Sequence, residues 1–237
     1  MASVHQMKAV NRTAFHPQPQ PKGRVVPFHK KRVSATKAKI LTKPQFEQLL
    51  DHVRAGKYPL RDTALIMLSY HCWLRAQEIA GLRWDRNILD SVGRVSPTLW
   101  VSEDIGKRAV AREIPINEET RAALVALRKV RPDDKFVIYP LFKVRRTLDS
   151  AERLCSGEVA PNTIVQYFRR LYAECGFPRC TSHSGRRTFI TNLARRCNEA
   201  KASLRDVQLL AGHKSLATTE GYIEPSEQQH KLVNLVF

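Results

Sequence analysis

Apolar positions recur at helical spacing through most of the chain after its first forty residues. Thr42 and Gln45 stand three apart, the spacing of a capping box, and predict a helix from there to about Ala55, stopped by Gly56. Arg61 to Tyr70 predicts a second helix, with Ala64, Leu65, Met67 and Leu68 on its buried side. Glu78 to Leu82 continues as helix and ends near Trp84. The pattern changes at Arg94. Thr98 to Ser102 and Glu113 to Ile116 are short β-branched or aromatic runs, and Ile105-Gly106-Lys107-Arg108 between them predicts a hairpin. Helical spacing returns over Glu118 to Arg128, Pro161 to Cys175, Phe189 to Cys197 and Ser203 to Ala211. Pro161 suits a first helical turn, Gly176 a C-terminal cap, and Ser203 with Asp206 repeats the cap spacing. The expected fold is mainly α with a small antiparallel β-sheet (α+β), a pattern that by itself names no function.

Composition divides the chain in two. Residues 1–40 hold nine Lys or Arg and no acid, so this segment carries +9 of the formal net charge of +18. Pro17, Pro19 and Pro21 interrupt it, and it has too little apolar surface to fold alone. It is expected to be a disordered basic arm, with Lys30, Lys31 and Arg32 as DNA-binding candidates. Residues 41–237 form the expected folded domain, ending in an apolar tail from about residue 226 that contains Leu232, Val233, Leu235, Val236 and Phe237. The tail is expected either to pack on its own domain or to dock on a neighbouring protomer.

A net charge of +18 attracts polyanions and speeds encounter with them, which points to nucleic acid. No run of 18 apolar residues occurs, so no membrane span is expected. The five cysteines are odd in number, and residues 1–20 lack the apolar core of a secretory signal. Both features fit reduced thiols and a cytoplasmic, DNA-associated protein. Cys175, Cys180 and His183 are too loosely spaced to read as a zinc site, so no metal is expected.

Cleaving a phosphodiester places extra charge on oxygens that are already anionic, so donors fixed in advance must stabilise it. Arginine suits the task, because its planar fork binds two oxygens and stays charged. A nucleophile and an acid for the leaving oxygen complete the requirement. The C-terminal half offers such groups in order. His183 and Arg186 lie three apart in Thr181-Ser182-His183-Ser184-Gly185-Arg186-Arg187, Gly212-His213 ends the next helix, and Tyr222 follows nine residues later. Taken singly, each has an ordinary structural explanation: a half-buried tyrosine, a histidine at a helix end, a surface arginine.

Taken together they resemble the tyrosine recombinases, or phage-type integrases, whose signature is His-x-x-Arg, then Gly-His, then Tyr. Upstream, Leu74-Arg75-Ala76-Gln77-Glu78 is similar to that family's first arginine turn. Gly106-Lys107 followed by Arg112-Glu113-Ile114-Pro115 is similar to its lysine hairpin. The resemblance spans about Thr42 to Tyr222. It implies that Tyr222 attacks phosphorus to form a 3′-phosphotyrosyl link and that Arg75 and Arg186 clamp the non-bridging oxygens. It further implies that Lys107 protonates the leaving 5′-oxygen, that His183 manages the Tyr222 proton and that His213 donates to a phosphate oxygen. Glu78 supports Arg75, and Arg108, Arg187 and Lys214 are further DNA-binding candidates. No cofactor is implied. The partners implied are double-stranded DNA, a homotetramer assembled on it from monomers, and an accessory DNA-bending protein. The alternatives are a catalytically silent DNA-binding regulatory factor and a type IB topoisomerase-like activity.

Three positions depart from the family pattern. Trp73 stands where a glycine usually precedes Leu-Arg, Arg187 stands where a histidine usually follows the second arginine, and Arg108 to Ala111 lack a second glycine. The family's N-terminal helical clamp domain also has no counterpart in residues 1–40, so a weaker grip on DNA, or reliance on a partner, is expected.

Overall fold

A computed structural model describes residues 38–105, 111–140 and 157–223. The basic arm up to residue 37, the tip of the hairpin and the apolar tail lie outside the described residues.

Helix α1 (Lys43–Arg54) starts on the expected capping box: the Gln45 N–H donates to Thr42 Oγ1 and the Thr42 N–H donates to Gln45 Oε1. Helix α2 (Pro59–Tyr70) is buried on nearly every side, including Leu65, Ile66 and Leu68, as expected of a central helix apolar all round. It packs against α1, against α4 (Glu118–Val130) and against α6 (Ser184–Arg196). Truncating a side chain such as Leu65 there to Ala removes about 2–5 kcal/mol.

The hairpin strands are β1 (Thr98–Val101) and β2 (Arg112–Pro115), paired antiparallel with Leu99 opposite Ile114 and Val101 opposite Arg112. Alternation turns Leu99, Val101, Arg112 and Ile114 inward and Trp100 and Glu113 outward. Arg112 is therefore a charged residue on the apolar face of a strand.

The remaining described α-helices are α3 (Ala76–Gly81), α5 (Pro161–Glu174), α7 (Leu204–Ala211) and α8 (Leu216–Glu220). Helix α6 begins at Ser184, ahead of the apolar run from Phe189, with His183 at its N-cap, so Arg186 lies inside its first turn. Gly185 lets this turn press on α2: a Cβ there would sit 2.9 Å from the Ser69 carbonyl oxygen. Helix α8 is too short to show a period and was not anticipated. A large core holds α1 to α5, and a smaller one unites Ile190, Cys197, Val207 and Ala211 with Tyr222 against it. No helix among the described residues is long and apolar enough to cross a membrane.

Candidate active site

The site begins at the turn after α2. The chain reverses at Trp73 with φ of +42°, the left-handed region that favours glycine. This explains the family's glycine and shows how Trp73 is tolerated. A left-handed non-glycine residue costs about 1–2 kcal/mol. Here the indole is buried, stacks on Phe189 with ring centroids 4.2 Å apart, and donates its N–H to the Leu210 carbonyl at 3.0 Å. Burial of a large aromatic surface offsets the strain.

Two residues on, Arg75 caps α3 and its side chain remains partly exposed. Its N–H donates to Glu78 Oε2 at 2.8 Å and its Nη1 donates to Glu78 Oε1 at 3.1 Å. Arg112 closes on the same carboxylate from β2, each terminal nitrogen 3.1 Å from one oxygen. Burial alone would raise the Glu78 pKa. The hydrogen bonds and charge of Arg112, with those of Arg75, outweigh it and hold the group below its ordinary range. Glu78 thus stays ionised and holds Arg75.

Arg186 is 1% exposed. Its Nη1 donates to the Trp73 carbonyl at 2.8 Å, and its Nη2 donates to the Ala211 carbonyl at 2.7 Å. Nη2 also reaches His213 Nε2 at 2.9 Å. A guanidinium can only donate, so His213 Nε2 accepts and the imidazole proton sits on Nδ1. That proton is donated to Thr219 Oγ1 at 3.0 Å. Burial, then the charges of Arg186, Arg75 and Arg112, push the His213 pKa down to about 4, so the ring is neutral near pH 7. Burial and the Arg75 charge lower the Arg186 pKa, while Tyr222, by charge and hydrogen bond, and the charge of Glu78 act against this. No carboxylate among the described residues pairs with Arg186, and its buried Nε has no acceptor among them.

Tyr222 follows α8 and stacks on His213, ring centroids 5.2 Å apart and 26° from parallel. Its backbone is held at both ends: its N–H donates to the Thr219 carbonyl at 3.0 Å, and its own carbonyl accepts from Thr191 Oγ1 at 2.9 Å. Gly212, which joins α7 to this segment, has φ of +62°, and a Cβ there would lie 3.0 Å from Arg112 Cδ. The positive φ favours glycine, and a side chain would also crowd Arg112.

His183 lies at the α6 N-cap, where partial burial and then the charges of Arg186 and Arg75 lower its pKa. The expected set Arg75, His183, Arg186, His213 and Tyr222 is thus gathered, with Glu78 beneath it. Lys107 and Arg108 fall outside the described residues, as do Lys30, Lys31 and Arg32. Lys214 is exposed. Arg187 is buried beside Arg186, at 6% exposure against 1%. In this arrangement His213 Nε2 meets Arg186 and Nδ1 meets Thr219, so the ring orients the guanidinium. Among the described residues no group of His, Cys, Asp and Glu could hold a metal ion.

Three residues were missed or undervalued. An arginine at an inward strand position was the available signal for Arg112. The Thr-Thr pair shortly before Tyr222 gave no signal for Thr219. The conformational role of Trp73 appears only in the backbone.

A mainly helical domain that gathers two arginines, two histidines and a tyrosine is the arrangement of a tyrosine recombinase catalytic domain. The phage integrase family model matches residues 39–229, and the chain belongs to that family. The tyrosine recombinase XerC of Myxococcus xanthus is 28% identical over 171 residues, covering 72% of this chain and 52% of the relative. XerC of Alcanivorax borkumensis is 30% identical over 192 residues, covering 78% of this chain and 55% of the relative. The chain spans about half the length of the curated relatives it matches. Among solved structures, the Tn1549 transposon integrase in complex with transposon right end DNA shares the fold, with a TM-score of 0.63 at 18% identity. That match covers 86% of this chain and 68% of the other.

Proposed function

We propose that this chain is a site-specific recombinase that cleaves and rejoins double-stranded DNA through a 3′-phosphotyrosyl intermediate at Tyr222. The observation that carries this reading is the buried Arg186, held by carbonyl oxygens and His213 without a carboxylate, beside the stacked Tyr222. A buried cation lacking an anionic partner is poised for an anionic substrate. Arg75 and Arg186 bind the non-bridging oxygens. The Tyr222 oxygen attacks phosphorus as its proton passes to His183, which is neutral near pH 7 and able to accept it. The P–O5′ bond breaks, and Lys107 gives its proton to the departing oxygen. Rejoining reverses these transfers with a 5′-hydroxyl as nucleophile, and the phosphotyrosyl bond conserves the energy of the cleaved one. The duplex is gripped through the basic surface of a +18 chain, and four copies assemble on paired sites for two rounds of exchange.

A pool of nicked duplexes with randomised sequence tests the reading, since loss of the short cleaved fragment traps the adduct. Wild type is expected to form a covalent complex that survives denaturing electrophoresis, and sequencing the trapped DNA gives the site. Tyr222→Phe is expected to bind the pool and form none. Binding without adduct by wild type points to the silent regulatory alternative.

A further inference from the structure

We infer that Trp73 is a positioning residue for Arg186, its side chain tying together the two carbonyl groups that hold the guanidinium. The inference rests on the proposed function and adds a residue to it. Arg186 donates to Trp73 O and to Ala211 O, which belong to segments 138 residues apart in the chain. The Trp73 indole spans the gap. Its N–H bonds to Leu210 O, the residue preceding Ala211, while its ring lies flat on Phe189, one helical turn beyond Arg186 on α6. One side chain therefore joins the α2–α3 turn, the end of α7 and the helix that carries the arginine. The two acceptors become a rigid pair, and the guanidinium plane is set before DNA arrives. A glycine at this position would supply the φ of +42° without strain but would lose the indole link between the acceptors' segments. The chain thus accepts a strained turn in exchange for a fixed arginine, which is what preorganised stabilisation of a transition state requires.

This role separates rate from affinity. Replacing residue 73 with benzothienylalanine keeps ring shape and stacking and removes only the N–H donor, and Trp73→Phe removes the donor and shrinks the ring. Single-turnover adduct formation is measured at saturating nicked DNA, with DNA affinity and thermal midpoint measured in parallel. Both variants are expected to stay folded and to bind DNA within about twofold of wild type, because many phosphate contacts set affinity. Their cleavage rates are expected to fall about 10- to 100-fold, the scale of a misplaced catalytic group. Cleavage at the wild-type rate by the benzothienyl variant overturns the inference, as does a loss that disappears at saturating DNA. If wild type itself forms no adduct, it is the proposed function that fails; variants that match an active wild type remove the role of Trp73 alone.

Discussion

Arg112 grips Glu78 with both terminal nitrogens, 3.1 Å to each carboxylate oxygen, and the same carboxylate holds Arg75 by its backbone and its guanidinium. One buried anion thus ties the hairpin strand to an arginine of the site. Lys107 precedes that strand by five residues, so the anchor of Arg75 is also the base of the loop that bears the proposed acid.

Breaking this pair leaves an uncompensated charge in the core. Arg112→Ala is expected to destabilise the domain by about 3–5 kcal/mol, read from the urea midpoint at constant slope. Arg112→Lys keeps the charge but loses the fork and should fall between. A midpoint for Arg112→Ala equal to wild type would show that Glu78 is not held this way.

The His213 ring supplies a pH dependence. Its pKa falls from the usual 6.5 to about 4 in the folded chain. The unfolded chain therefore binds a proton that the folded chain refuses between those values. The contribution is complete above pH 6.5 and is lost as pH falls toward 4, amounting to roughly 3 kcal/mol from this group. Denaturation profiles across that window should be steeper for wild type than for His213→Gln. Parallel profiles would contradict the neutral, buried state assigned to the ring.

Thr219 fixes the His213 tautomer by accepting from Nδ1. Thr219→Val removes the acceptor at constant shape and leaves a buried N–H unsatisfied, at about 1–3 kcal/mol in stability. Cleavage should slow about tenfold or more as Arg186 loses its oriented acceptor. Thr219→Ser keeps the hydroxyl and should recover most of the rate. Equal rates for the Val and Ser variants would remove Thr219 from the site.

Local chemistry in the sequence foretold much of this arrangement. The caps at Thr42 and Ser203 and the Gly176 stop mark helix ends because each satisfies backbone groups within a few residues. The hairpin was legible from its two short β-branched or aromatic runs, although its inward arginine acquires meaning only when α3 is brought beside it. What stayed hidden is non-local. Trp73 meets Phe189 and Leu210 across more than a hundred residues, and no periodicity reports that encounter. The burial of Arg187 was hidden too, since an Arg-Arg pair does not reveal which member turns inward and both do.

DNA affinity should fall steeply with salt, because phosphate contacts release condensed counterions. The logarithm of affinity plotted against the logarithm of salt concentration is expected to be a straight, steep line, and Lys214→Ala should lower its slope by about one contact. A flat plot would exclude an electrostatic grip.

The account stands or falls on the Tyr222 oxygen. Proteolysis of the trapped adduct, nuclease trimming and mass spectrometry should find a 3′-linked nucleotide on the peptide that contains Tyr222. A nucleotide on any other residue, or an adduct that persists in Tyr222→Phe, would contradict it.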